Sequence, residues 1–241
     1  MKTLALTLLL IAPPAFANRL PSYWSVDYLL THNNGDVTAL RSRDNRTNLT
    51  YISVKKLRGI ARVMDDIQSV SEVSARLYIE PGPANAFASK INGRNVVIVS
   101  TGMLEVVGYD FSEYAAVLGH EVAHIKLHHP VKRIVSGYAE QAVAKAVRKE
   151  STWEQVVAKL LTKSIATTFT RKQESNCDYL GAIWATEAGY DPYGASRLWR
   201  KMVKLSGEHL FPFLQVHPPT ESRIRAMTDL AKRLDTGKPS S

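Results

Sequence analysis

Ten consecutive residues, His120-Glu121-Val122-Ala123-His124-Ile125-Lys126-Leu127-His128-His129, hold four of the chain's seven histidines. His120 and His124 are four apart, and on an α-helix that spacing puts both side chains on one face, a turn from each other, where two imidazoles can grip one metal ion. Glu121 sits beside the first of them, placed to reach a water next to that ion rather than the ion itself. Two histidines do not close a site, however, and a helix face that merely happens to be rich in histidine would look the same. The question turns on a third ligand.

The candidate is Glu174, in the run Arg171-Lys172-Gln173-Glu174-Ser175-Asn176-Cys177-Asp178. Glu174 and Asp178 are again four apart, so one helix face carries both carboxylates. Glu174 can complete a His-His-Glu set, while Asp178 accepts a hydrogen bond from the free ring N–H of a ligand histidine. The alternative is a pair of carboxylates on a solvated face. The small and apolar neighbours Tyr179-Leu180-Gly181-Ala182 argue for burial instead. His-Glu-x-x-His with a distant carboxylate is the signature of zinc peptidases: zinc lowers the pKa of a water, and the glutamate takes its proton as the water attacks a carbonyl.

The rest of the chain reads as an α+β domain, mainly helical, with a small sheet and hairpin before the histidine helix. From Ser53 on, Leu57, Ile60, Met64, Ile67 and Val70 recur at three- and four-residue spacing, which lines one helix face. Arg76–Glu80 alternates as a strand and stops at Pro81-Gly82-Pro83. A second extended piece, 84–91, connects through Asn92-Gly93 to 95–99, and Asn-Gly is a strong two-residue hairpin signal because both turn positions need φ > 0. Asp110 to Glu113 forms a capping box that opens the histidine helix; Tyr114, Val117, Leu118, Val122 and Ile125 fill its inner face, and Pro130 closes it. One or two helices are expected over 131–172, another over 173–188, another after Asp191-Pro192, and a last one over 220–234. Residues 18–50 are polar, with 33–36 and 41–45 reading as turns or loop and no structure assigned to the rest, and 236–241 read as a tail.

Residues 1–17 have the form of a secretory signal: Lys2, an apolar run from Leu4 to Ala12, and Ala15-Phe16-Ala17 as a cleavage pattern. The run is too short for a spanning helix, and no other stretch is long and apolar enough, so the expectation is a soluble, secreted chain, periplasmic and without a lipid anchor. Its lone cysteine, Cys177, allows no internal disulfide. The net charge of +9 accompanies no nucleic-acid motif and is spread over several helices. Peripheral contact with anionic membrane surfaces is its nearest functional meaning, and an ordinary solvated surface its plainest one.

These motifs, in this order, resemble the M48 family of gluzincin metallopeptidases, in particular its small soluble envelope members. The resemblance runs from about residue 50 to 234. It rests on His120, Glu121, His124 and His129; on Glu174 and Asp178; on His217 to Arg223 (HPPTESR); and on Asn85-Ala86-Phe87-Ala88 with the segment 100–104 (STGML). Cys177 departs from the pattern, which usually has alanine there. The resemblance implies a zincin-like fold over 51–235. It implies one Zn2+ held by His120, His124 and Glu174, Glu121 as general base, His217 near the oxyanion, and Arg223 bracing the pocket. It further implies an active-site edge strand at Asn85, Ala86, Phe87 and Ala88, to which extended substrate would add backbone to backbone. Cys177 is then a small buried residue, His128 a surface residue and His129 a structural one. The activity implied is endopeptidase cleavage of unfolded or damaged envelope proteins. A chaperone-like binder with a low-turnover zinc site, and an enzyme kept latent by a histidine or by the 131–170 region, stand beside it.

Overall fold

The computed structural model describes residues 23–33, 35–41, 49–91, 93–129, 132–134, 169–206 and 212–236. The signal reading of residues 1–17 and the helices expected over 135–168 lie outside them. Among the described residues the elements run β1 (Trp24–Ser25), α1 (Val26–Thr31), β2 (Val37–Arg41), β3 (Leu49–Ser53), α2 (Val54–Ser71), β4 (Arg76–Glu80), β5 (Ala86–Ile91), β6 (Arg94–Ser100), α3 (Thr101–Val107), α4 (Phe111–Lys126), β7 (Lys132–Ile134), α5 (Arg171–Glu187), α6 (Gly194–Ser206), α7 (Pro212–Val216) and α8 (Glu221–Thr236). The chain is mainly helical with a small sheet, as its α+β pattern implies. None of the described helices is long and apolar enough to cross a membrane.

Helix α4 is the axis of the domain. Every residue from Glu113 to His124 is buried, which requires that it be apolar or small on all sides except where polar partners wait. On one side the α2 stripe of Leu57, Ile60, Met64 and Ile67 packs into the same core as Tyr114, Leu118 and Val122. On another lie β5 and β6. The third neighbour is α5, and there the two helices meet at glycines: a Cβ on Gly119 would stand 2.8 Å from the Gly181 carbonyl oxygen, and one on Gly181 would stand 2.7 Å from the His120 nitrogen. Backbone atoms cannot yield as a flexible side chain would, so only glycine lets the helices approach this closely. The approach sets His120 against the Glu174–Asp178 face.

The five-stranded sheet has the order β1-β4-β6-β5-β7. The β5–β6 hairpin closes at Ile91↔Arg94, with Gly93 at φ 78°, as the Asn-Gly signal predicts. Three expectations are corrected. The stretch 132–134 is no helix but strand β7, parallel to β5 through Ser89↔Lys132, Lys90↔Arg133 and Ile91↔Ile134. Strand β5 is therefore not the sheet's edge along its whole length; only its first half, 86–88, extends past the pairing with β7. Residues 18–50, to which the sequence assigns only turns at 33–36 and 41–45, contribute β1, α1, β2 and the start of β3: the alternation in a five-residue strand such as Val37–Arg41 is too short to stand out from polar surroundings. Finally, Asp110 caps α4 by accepting the Ser112 and Glu113 N–H groups, but Glu113 does not reach back; its carboxylate pairs with Lys201 Nζ at 2.6 Å. The full capping box belongs to α5, between Thr170 and Gln173.

Candidate metal centre

His120 and His124 project from the last turns of α4 toward Glu174, near the start of α5, and all three side chains are buried. The facing atoms are close. His124 Nε2 lies 3.1 Å from His120 Nε2, and the Glu174 oxygens lie 3.5 Å from His120 Nε2 and 3.4 Å from His124 Nε2. His120 Nδ1 donates to Asp178 Oδ1 at 3.0 Å, which leaves its Nε2 as a lone pair aimed at the other two groups. Two nitrogen lone pairs and a carboxylate that converge in a buried space repel one another unless a cation lies between them. A two-nitrogen, one-oxygen set with room for a water is the donor chemistry of catalytic zinc, so these residues fit the ion.

The protonation of the group follows from its burial. Burial pushes His124 down to about 3 against the pull of Glu174, so its ring is neutral and available as a ligand. For His120 burial works downward too, but the hydrogen bond and charge of Asp178, with Glu174 and Glu121, lift it overall. Burial would raise Glu174, yet hydrogen bonds with His124 and His217 and the charge of His120 hold its carboxyl well below the usual carboxylate range. Asp178 is likewise held low, against burial, by Arg223 and His120. Arg223, on α8, reaches Asp178 with Nε at 2.6 Å and Nη2 at 2.8 Å, Glu174 with Nη2 at 3.0 Å and the Pro218 carbonyl with Nη1 at 2.8 Å. It thus braces Glu174 and Asp178 at once. Trp199 of α6 lies flat against its guanidinium, 4.4 Å from ring centroid to Cζ.

Glu121 is divided between two environments. Its Oε2 accepts the Ala88 N–H at 2.8 Å, while Oε1 is buried and has no hydrogen-bond partner among the described residues; His217 Nε2 stands 3.5 Å from it. Burial raises its carboxyl above the ordinary range, although His217, His120 and the Ala88 N–H oppose the rise.

His217 stands beside the two histidines and Glu174, with Nδ1 3.1 Å from His120 Nε2 and 3.0 and 3.1 Å from the two Glu174 oxygens. A carboxylate only accepts, so His217 Nδ1 carries a proton in this arrangement. The short helix α7 brings it there: the His217 N–H donates to the Phe213 carbonyl at 2.8 Å, and the Phe213 N–H to the Ala84 carbonyl at 3.4 Å. His120, His124, Glu174 and His217 together place one donor atom each within 4.8 Å of one another.

Of the four residues expected to bind substrate, Ala88 donates its N–H to Glu121. Asn85 exchanges hydrogen bonds with Ser100 of β6, its N–H to Ser100 Oγ at 2.8 Å and its carbonyl from the Ser100 N–H at 2.9 Å. Backbone alternation then turns the polar groups of Asn85 and Phe87 toward β6 and those of Ala86 and Ala88 outward, and the Ala88 bond to Glu121 agrees. The Phe87 side chain packs with Ile91, Val96 and Ile98 in a separate small cluster, away from the metal ligands. Cys177 is fully buried, and burial together with the neighbouring carboxylates pushes its thiol up. Phe169 is a residue that sequence reasoning missed: its ring centroid is 3.9 Å from that of His124 and 5.5 Å from that of His217. The glycine contact was missed as well, though a glycine inside each of two helical patterns was the available signal.

A buried helix carrying His-Glu-x-x-His, crossed by a second helix that supplies a glutamate, defines a metal centre of the zinc peptidase type. The sequence profile of peptidase family M48 matches residues 57–231, and the chain belongs to that family. Among curated proteins it is 30% identical over 131 residues to the mitochondrial metalloendopeptidase OMA1 of Arabidopsis thaliana, covering 54% of this chain and 27% of that protein. It is 29% identical over 178 residues to OMA1 of Schizosaccharomyces pombe, covering 70% and 51%. It is also 25% identical over 193 residues to the metalloprotease YcaL of Escherichia coli, covering 76% and 71%. The chain thus spans about half or less of the length of the two OMA1 proteins.

Proposed function

We propose that this chain is a zinc endopeptidase that cleaves unfolded or damaged proteins of the cell envelope, reached by export on residues 1–17. The observation that carries the hydrolytic reading is Glu121: a buried carboxylate with one oxygen held by Ala88 and the other, Oε1, left without a hydrogen-bond partner among the metal-site side chains. His120, His124 and Glu174 would hold a zinc ion, which would supply Lewis acidity for peptide hydrolysis. Glu121 Oε1 accepts a proton from the attacking water and delivers it to the leaving amine. Its raised pKa suits both tasks, because a base that is too weakly basic gains little from either transfer. The His217 ring offers an N–H donor to the carbonyl oxygen as negative charge develops there.

An extended substrate adds along 86–88, where the outward backbone groups of Ala86 recognise main chain rather than side chain, which suits unfolded proteins of many sequences. The net charge of +9 supports peripheral contact with anionic membrane surfaces. The test is casein degradation by the purified chain with and without chelator, together with zinc content. Hydrolysis that persists in the zinc-free protein would sink the reading.

A second reading has an observation in its favour. Glu121 is 1% exposed, His124 0% and Glu174 2%, and His217 stands among the ligands. This burial supports a latent enzyme in which His217 must withdraw, or a chaperone-like binder with low turnover. Suppression of aggregation of an unfolded protein without its cleavage, under conditions where zinc is bound, favours this reading over the first.

A further inference from the structure

The end of α4 has a feature that the hydrolytic reading does not use. Helix α4 stops at Lys126, and the chain reverses over its own last turn because His128 adopts a left-handed conformation at φ 56°. The N–H groups then fold back: Leu127 to the Ala123 carbonyl at 2.9 Å, His128 to Ile125 at 3.1 Å, and His129 to His124 at 3.0 Å. The last of these, a bond across five residues closed by a left-handed residue, is the long bond of a Schellman C-cap. In such a cap the residue after the left-handed one lies beside the residue five before it, and their side chains meet. Here those two residues are His129 and His124.

Their rings meet nitrogen to nitrogen, His129 Nδ1 at 3.0 Å from His124 Nδ1. His124 turns its Nε2 toward His120 and Glu174, so a neutral His124 ring holds its proton on Nδ1 and donates it. The acceptor is then His129 Nδ1, which fixes the His129 proton on Nε2. Phe169, tilted 40° to His124 with the ring centroids 3.9 Å apart, leaves that ring little freedom to turn away. Cys177 Sγ lies 3.5 Å from the same His129 nitrogen and faces the one lone pair already taken by His124.

We infer that His129 is a positioning residue for the metal site: through the C-cap of α4 it accepts the Nδ1–H of His124 and so holds the Nε2 lone pair of that ligand on the ion. The inference rests on the reading of His124 as a zinc ligand. It gives the two histidine ligands different outer partners, the charged Asp178 carboxylate for His120 and a neutral imidazole for His124. It also gives the five-residue spacing from His124 to His129 a physical reason, since that is the separation a Schellman cap brings together.

The test compares H129L, which removes the acceptor, with H129N, whose side-chain oxygen stands about where Nδ1 stood. Zinc affinity is measured by competition with a chelator, and the unfolding midpoint is measured on the zinc-free proteins. H129L is expected to bind zinc roughly ten- to a hundredfold more weakly, and H129N to recover most of that loss, while the two zinc-free variants unfold alike. Nitrogen-15 spectra of the zinc-loaded wild type are expected to show His129 protonated on Nε2 alone. A wild-type chain that takes up no zinc overturns the ligand reading and this one with it. A chain that binds zinc, but whose H129L variant binds it as tightly, overturns this inference alone. So does equal loss in H129L and H129N with a matching fall in zinc-free stability, which would make His129 a packing residue, or a His129 ring protonated on Nδ1.

Discussion

Glu121 and Asp178 are both buried carboxylates, yet their surroundings push them in opposite directions. Asp178 accepts from Arg223 and His120 and is held low; Glu121 keeps one oxygen without a hydrogen bond and is raised by burial. Glu121→Gln preserves shape and removes the base, so zinc content should be unchanged while hydrolysis of an unfolded protein falls by at least about a hundredfold. Full activity in that variant would remove Glu121 from the reaction. Glu174→Ala should lose most of its zinc, whereas Asp178→Ala, which acts through His120, should weaken zinc affinity by roughly ten- to a hundredfold; metal content after dialysis distinguishes them. Asp178 also sets a pH dependence. Its folded pKa is depressed, so the stability it contributes is present above the unfolded value of about 3.9 and is lost as pH falls below that value toward the folded pKa. The stability difference between the zinc-free wild type and Asp178→Asn should therefore be largest between about pH 4 and 6, shrinking in stronger acid as Asp178 is protonated and again at higher pH as the His120 proton that Asp178 favours is lost, as read by urea unfolding at several pH values.

At the scale of elements, the site depends on how closely α4 and α5 approach. A methyl group at residue 181 would meet the His120 nitrogen at 2.7 Å, so Gly181→Ala must part the helices. Overpacking of this kind costs about 1–3 kcal/mol, and here the displacement falls on the distance between the histidines and Glu174. Both a lowered melting temperature and weakened zinc binding are expected; a variant with normal zinc affinity would show that the ligands tolerate the shift. Strand β5 makes a second prediction. Proline at Ala86 removes an outward N–H and should raise KM for an unfolded substrate with the fold retained, whereas proline at Phe87 removes an N–H directed at β6 and should destabilise the hairpin. A normal KM in the Ala86→Pro protein would place the substrate elsewhere.

At the scale of the whole molecule, the metal would tie α4 to α5 and so contribute to stability as well as chemistry, because zinc bound only by the folded chain stabilises it by mass action. The melting temperature should rise with added zinc in the wild type and stay unmoved in Glu174→Ala, as followed by circular dichroism. Much of this was legible in the chain: α2, β4, the hairpin and α4 follow from local periodicity and turn chemistry, and His120, Glu121, His124, Glu174 and Asp178 from four-residue spacing on helices. Those are short-range relations, and a helix imposes them wherever it forms. What only the tertiary structure decided lies between segments distant in sequence: the seat of His217 among the ligands, the reach of Arg223 across Glu174 and Asp178, the packing of Phe169 against His124, and the pairing of β7 that leaves β5 only half an edge. Each of these is set by packing and by chain reversal, which no periodicity encodes, and they determine how the metal ligands, legible from spacing alone, are braced, covered and reached.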